Sequence, residues 1–138
     1  MAITSIVVGI DGSETSYRAF AMAVGLAARE QGCVHACFVA HVPKTIAPSG
    51  FVAPLPFLDD PQGDDHLARF VAEELDRAQV RGDFTCRSGE VAIELERLAT
   101  TCSADLVVVG RSTHPRRHLG GVPRRLLTRG RHPILVVP

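Results

Sequence analysis

Leu106-Val107-Val108-Val109-Gly110-Arg111-Ser112-Thr113 is an apolar run that stops in glycine and small hydroxyl residues. A strand with one wet face alternates apolar and polar residues, so an unbroken run of this length reads as a strand buried on both faces of a parallel sheet. Beyond it lie an arginine-rich stretch, the pair Gly120-Gly121, a segment opening Val122-Pro123, and a last apolar run, Pro133-Ile134-Leu135-Val136-Val137. A parallel strand ending in glycine, followed by a glycine pair that opens a helix, gathers backbone N–H groups where an anion can be held. Gly120-Gly121-Val122-Pro123 also reads simply as a loop with proline at a first-turn position that needs no N–H. Arg111 and Ser112 are the polar side chains nearest that opening, so the expected ligand chemistry is phosphate. At Gly110 two readings stand together: a Cβ would block a ligand, or the chain simply turns tightly there.

Working outward, Ile3 to Ile10 is a second buried-strand pattern, ending in Asp11-Gly12-Ser13-Glu14-Thr15-Ser16, which supplies a turn and a helix N-cap. Asp11 stands where a carboxylate would accept a ribose hydroxyl, and equally where an Asx turn or cap precedes a helix. Tyr17 to Gln31 has helical spacing, Gly32 stops it, and a strand runs from Cys33 or Val34 to Val42. Residues 43–65 collapse into prolines and glycines and read as a surface loop. Helical spacing resumes from His66 to Val80, a weaker strand covers Phe84 to Arg87, and Glu90 to Cys102 is an amphipathic helix. The order predicts a single α/β domain over residues 1–138: a doubly wound parallel sheet of five strands with helices on both faces. Ligands of such sheets bind beyond the carboxyl ends of the strands where strand order reverses. If the first and fourth strands are neighbours, the ends after Ile10, Val42 and Gly110 converge there.

Composition narrows the function classes. Forty-six per cent hydrophobic residues with only 5% aromatic predict one aliphatic core. The 15 basic and 15 acidic residues cancel, yet after Asp105 there is no acidic residue, while Arg111, Arg116, Arg117, Arg124, Arg125, Arg129 and Arg131 follow. Neutrality argues against nucleic acid; one basic face suits a phosphate or an acidic protein partner. No stretch approaches a membrane span, and the first residues lack a basic segment followed by an apolar one, so a cytoplasmic protein is expected. Cys33, Cys37, Cys86 and Cys102 are scattered without a C-x-x-C and are expected to be small interior hydrophobes without chemistry. His114 and His118 are four apart, but Pro115 and neighbouring arginines oppose a helical metal pair, so no metal is expected. There is no G-x-G-x-x-G after the first strand, no G-x-x-x-x-G-K-[ST], and no nucleophile with an evident base, so no enzymatic activity is expected.

Across essentially its whole length the chain resembles the universal stress proteins. The resemblance rests on Ile6-Val7-Val8-Gly9-Ile10-Asp11-Gly12-Ser13-Glu14, His41-Val42, Ser88-Gly89-Glu90, Ala104 to Gly110, and Pro133 to Val137. It implies an adenine nucleotide alpha hydrolase-like fold and an adenine nucleotide, ATP or AMP, as ligand. Asp11 would contact ribose, the Val42 backbone would meet adenine, and Gly110, Gly120 and Gly121 would surround the phosphates beside Arg111 and Ser112. It also implies a homodimer paired through Ile134 to Val137, which agrees with the hazard of an uncovered apolar edge strand. ATP-binding members look like G-x-x-G, then nine residues, then G-S or G-T. Here Gly110 and Gly120 match, Thr113 stands at the second glycine, Gly121 at the first hydroxyl position and Pro123 at a further one. The loop between Thr113 and Gly120 is about three residues shorter than that pattern. These departures imply weakened nucleotide binding. They leave open the alternative of a dimeric interaction module without nucleotide, using its arginine-rich face.

Overall fold

The computed structural model describes residues 2–40, 61–112 and 121–138, with residues 61–64 described by their backbone alone. Its elements run β1 (Ser5–Gly9), α1 (Glu14–Glu30), β2 (Cys33–Ala40), α2 (Pro61–Ala78), β3 (Arg81–Ser88), α3 (Val91–Thr101), β4 (Leu106–Gly110), α4 (Val122–Arg129) and β5 (Ile134–Val137). The sheet is parallel throughout, in the order β3-β2-β1-β4-β5. Strand order therefore reverses between β1 and β4, which meets the condition under which the strand ends converge.

Alternation along the strands divides the interior in two. Ile6, Val8, Val34, Ala36 and Val108 face a core closed by Ala19, Phe20 and Ala23 of α1 and Leu67, Val71 and Leu75 of α2. Val7, Cys37, Val39, Val107 and Val109 face the second core, closed by Ala92, Leu95, Leu98 and Ala99 of α3 and Leu126 of α4. Both faces are covered, which is why the central strands carry no polar alternation. Tyr17 and Phe70 meet edge to face at 4.8 Å and tie α1 to α2.

Local chemistry sets the boundaries. Ser13 caps α1: its hydroxyl accepts from Ser16 N, and its carbonyl accepts from Tyr17 N at 3.1 Å. The helix thus begins at Glu14, three residues before the position that apolar spacing marks. α2 begins at Pro61, so residues 61–65 belong to a helix rather than to the expected loop; a proline is accommodated at the first helical position. The rest of that loop, residues 43–60, lies outside the described residues. β3 extends back to Arg81, beyond the expected Phe84. It is the sheet's outer strand on that side and exposes Arg81, Gly82 and Asp83, so polarity hides its start. At the base of the sheet, Asp105 Oδ2 accepts from Thr4 N at 2.8 Å, Ser5 N at 3.1 Å and Thr4 Oγ1 at 3.1 Å, locking the entry of β4 to that of β1. The Thr4 and Ser5 backbone bonds, with the Thr4 hydroxyl, hold the Asp105 carboxyl below the usual carboxylate range.

Among the described residues no helix is long and apolar enough to cross a membrane, and no group of three or more potential ligands is arranged for a metal ion. His114 and His118 lie outside the described residues. The cysteines depart from expectation: Cys37 is buried, Cys33 and Cys102 are half-buried, and Cys86 is exposed.

Candidate functional site

A cleft of about 450 Å³ opens above the carboxyl ends of β1, β2 and β4. Its floor is apolar, built by Gly9, Ile10, Cys37, Val39, Leu95 and Val109. Burial pushes the Cys37 thiol up to about 12, so at neutral pH the floor holds a neutral SH group rather than a thiolate. The rim is polar and comes from two sides: Asp11, Ser13, Thr15 and Ser16 from the start of α1, and Arg111, Ser112 and Gly121 from the two ends of the β4–α4 connection.

Each rim residue is placed by backbone chemistry. Asp11 Oδ1 accepts from Ser13 N at 2.9 Å, an Asx turn. A carboxylate has acceptor capacity for several donors, so this bond leaves Asp11, which is exposed, able to accept more. Ser16 Oγ donates to the Ser13 carbonyl at 2.8 Å and can accept from Asp11 N at 3.3 Å, which stiffens the turn. Arg111 is pinned through its main chain: its N–H donates to the Val137 carbonyl at 2.7 Å, and its carbonyl accepts from Thr15 Oγ1 at 2.9 Å. The Arg111 side chain projects from this fixed backbone and is exposed.

Gly110 has a reason beyond the two read from the sequence. A Cβ there would lie 2.6 Å from the Thr15 carbonyl carbon and 2.8 Å from Ser16 N. Glycine at 110 therefore lets the start of α1 pack on the end of β4, and that contact brings the Asp11 and Arg111 sides of the rim together. Gly121, the residue before α4, stands against Ser112; a Cβ there would approach the Ser112 Cβ to 3.3 Å. Among the described residues no side chain caps α4, and Pro123 in its first turn carries no N–H. The partial positive charge at that helix start is thus directed to the cleft, beside the Arg111 end.

The structure brings Asp11, Gly110, Arg111, Ser112 and Gly121 around one cleft. Val42, Thr113 and Gly120 lie outside the described residues. Sequence reading missed Ser13, Thr15 and Ser16 as rim residues, and Cys37 and Leu95 as floor. The hydroxyls looked like turn and cap residues, and nothing local marks a bond such as Thr15 to Arg111, which joins positions 96 apart.

The arginine-rich end is partly neutralised from within. Arg129 Nε and Nη2 donate to the two carboxylate oxygens of Glu96, Arg131 Nε lies 3.1 Å from Glu96 Oε1, and Arg125 pairs with Glu90. Glu96 is only 5% exposed, and the Arg129 hydrogen bond holds its carboxyl below the usual range. Three of the arginines therefore clamp α3 to α4 and to the turn before β5. Arg116 and Arg117 lie outside the described residues.

The sequence matches the model of the universal stress protein family over residues 2–138. Among solved structures, a universal stress protein family member from Burkholderia pseudomallei is 27% identical with a TM-score of 0.78, covering 99% of this chain and 97% of its own. A universal stress protein solved in complex with cAMP is 24% identical with a TM-score of 0.75, covering 100% and 99%. One from Archaeoglobus fulgidus, in complex with dAMP, is 16% identical with a TM-score of 0.71, covering 100% of both chains. Among proteins with curated descriptions, none matches the chain in sequence.

Proposed function

We propose that the chain, which belongs to the universal stress protein family, binds an adenine nucleotide in the cleft above β1, β2 and β4. The observation that carries this reading is the cleft's polarity: an apolar floor, a carboxylate at one end of the rim, and an arginine with the start of α4 at the other. A nucleotide has the same three parts. Its base is flat and apolar on its faces, its ribose donates hydroxyls, and its phosphates are anionic. Asp11 accepts from the ribose, the Arg111 and Ser112 side chains with the amides at the start of α4 meet phosphate, and the base covers the Cys37 and Val39 floor. The cAMP and dAMP complexes of similar structures support an adenine base; ATP and AMP are the ligands we assign here.

Gly121 and Pro123 stand where hydroxyl donors would, Thr113 replaces a glycine, and the loop between Thr113 and Gly120 is about three residues shorter, so binding is weaker than a complete motif would give. The protein acts as a nucleotide-responsive binding domain rather than an enzyme, and it works as a homodimer joined through β5. That strand is the outer member of the sheet, with Val136 36% exposed. The test is to denature freshly purified protein and separate what it releases by chromatography. Release of an adenine nucleotide supports the reading. Protein that releases none, and that takes up none when incubated with ATP or AMP, overturns it.

A further inference from the structure

At the opposite end of the sheet from the cleft, Cys33, His35 and Asp83 form a hydrogen-bonded chain. Cys33 Sγ lies 3.5 Å from His35 Nε2, and His35 Nδ1 lies 3.1 Å from both carboxylate oxygens of Asp83. Cys33 and His35 are two apart on β2 and so share one face, while Asp83 is the β3 residue in register with His35. A carboxylate only accepts, so His35 Nδ1 carries the proton and Nε2 presents its lone pair to the Cys33 thiol. Imidazole joins the other two groups through opposite nitrogens, an arrangement that relays a proton rather than chelating a metal. The thiol also lies 3.4 Å from the Thr4 carbonyl, which can take the S–H hydrogen bond but cannot take the proton. Cys33 is half-buried, and the His35 side chain is 18% exposed, so a small reagent reaches the sulfur.

We propose that Cys33 is a base-assisted nucleophilic thiol, a modification site for small electrophilic oxidants, with a hydroperoxide as the reacting class. In the reaction with hydrogen peroxide, the thiol proton passes to His35 Nε2 and the sulfur attacks one peroxide oxygen. The O–O bond breaks as an S–O bond forms, and the departing oxygen collects a proton to leave as water. Sulfur is oxidised by two electrons to the sulfenic acid, Cys–SOH, and the peroxide is reduced. His35 is the base, and Asp83 positions it by fixing the tautomer. The site lies about 13 Å along β2 from Cys37 in the cleft floor and does not depend on what the cleft binds.

The experiment exposes the full-length protein to hydrogen peroxide with dimedone present and follows the adduct on each cysteine peptide by mass spectrometry. If exposure alone set reactivity, Cys86 would be labelled first. The proposal expects Cys33 to be labelled about tenfold faster than Cys86. His35→Ala should bring Cys33 down to the Cys86 rate, and added imidazole should restore part of the difference. Asp83→Asn, at an exposed position, should slow Cys33 while Cys86 in the same molecules keeps its rate, which a loosened fold would raise. Equal labelling of Cys33 and Cys86, or a Cys33 rate unchanged in both variants, overturns the proposal.

Discussion

Gly110 and Thr15 are in backbone contact: a Cβ on Gly110 would sit 2.6 Å from the Thr15 carbonyl carbon, closer than packed atoms approach. The one glycine of the β4 motif that the structure describes therefore serves the packing of α1 on β4. It affects ligand binding through that packing. Gly110→Ala should destabilise the protein by about 1–3 kcal/mol through overpacking, seen as a lower denaturation midpoint in urea. A variant as stable as the wild type would show that the contact relaxes freely.

Asp11 separates the turn from the ligand. Asp11→Asn retains an oxygen for the Ser13 N–H and should leave the melting temperature unchanged, whereas Asp11→Ala loses the turn bond and should cost about 1 kcal/mol. With Asp11→Ala, nucleotide affinity should fall at least about tenfold, roughly 1.4 kcal/mol. Calorimetric titration of both variants checks this, and undiminished affinity in Asp11→Ala would remove the residue from the site.

Glu96 gives a pH signature. Its native carboxyl is held below the ordinary range, first by the Arg129 hydrogen bond, so the folded state binds a proton there less readily than the unfolded chain. The bridge's contribution is complete above the ordinary glutamate pKa of about 4.3 and disappears as pH falls through the lower native value. Glu96→Gln should therefore destabilise the protein at pH 7 by about 1–2 kcal/mol, a figure kept small because the Arg129 and Arg131 side chains are 39% and 67% exposed. The gap between variant and wild type should close in acid. Urea titrations at pH 7 and pH 3 measure it; a constant gap would assign the effect to packing.

The β5 edge predicts assembly. Val136→Lys places a charge on the outer strand, where a buried strand pair would have to accommodate it. Light scattering after gel filtration should show a dimer for the wild type and a monomer for the variant. A wild-type monomer at tens of micromolar, on the order of a working assay concentration, would remove β5 as an interface.

Legibility in the sequence followed burial. The runs around Val7, Val34 and Val108 are covered on both faces, and their apolar continuity, with helices between them, was enough to read a parallel sheet, whereas the β1–β4 neighbourhood stood only as a condition until the structure supplied it. The start of β3 was hidden because Arg81, Gly82 and Asp83 stand on an outer strand where solvent permits polarity. The start of α2 was hidden because Pro61 and Gly63 look like breakers, although proline suits a first turn. Within the site, Asp11, Gly110, Arg111 and Ser112 were legible because they end or follow strands, and Gly121 because a glycine pair there opens a helix. Thr15 bonding to Arg111 was not, since the packing of α1 on the end of β4 creates it, and neither was His35 bonding to Asp83, which register across the sheet creates. The arginine count misled in one respect: Arg125, Arg129 and Arg131 find Glu90 at the N-cap of α3 and Glu96 within it, counter-ions that a reading of the last third alone cannot see.

Calorimetric titration of ATP and of AMP into nucleotide-free protein measures occupancy of the cleft itself. Saturable binding is expected with a dissociation constant on the order of 10 μM to 1 mM, or about −7 to −4 kcal/mol. Asp11→Ala, still folded, should lose that heat. No saturable heat from either nucleotide at millimolar concentration, with folded wild-type protein, would contradict nucleotide binding in the cleft.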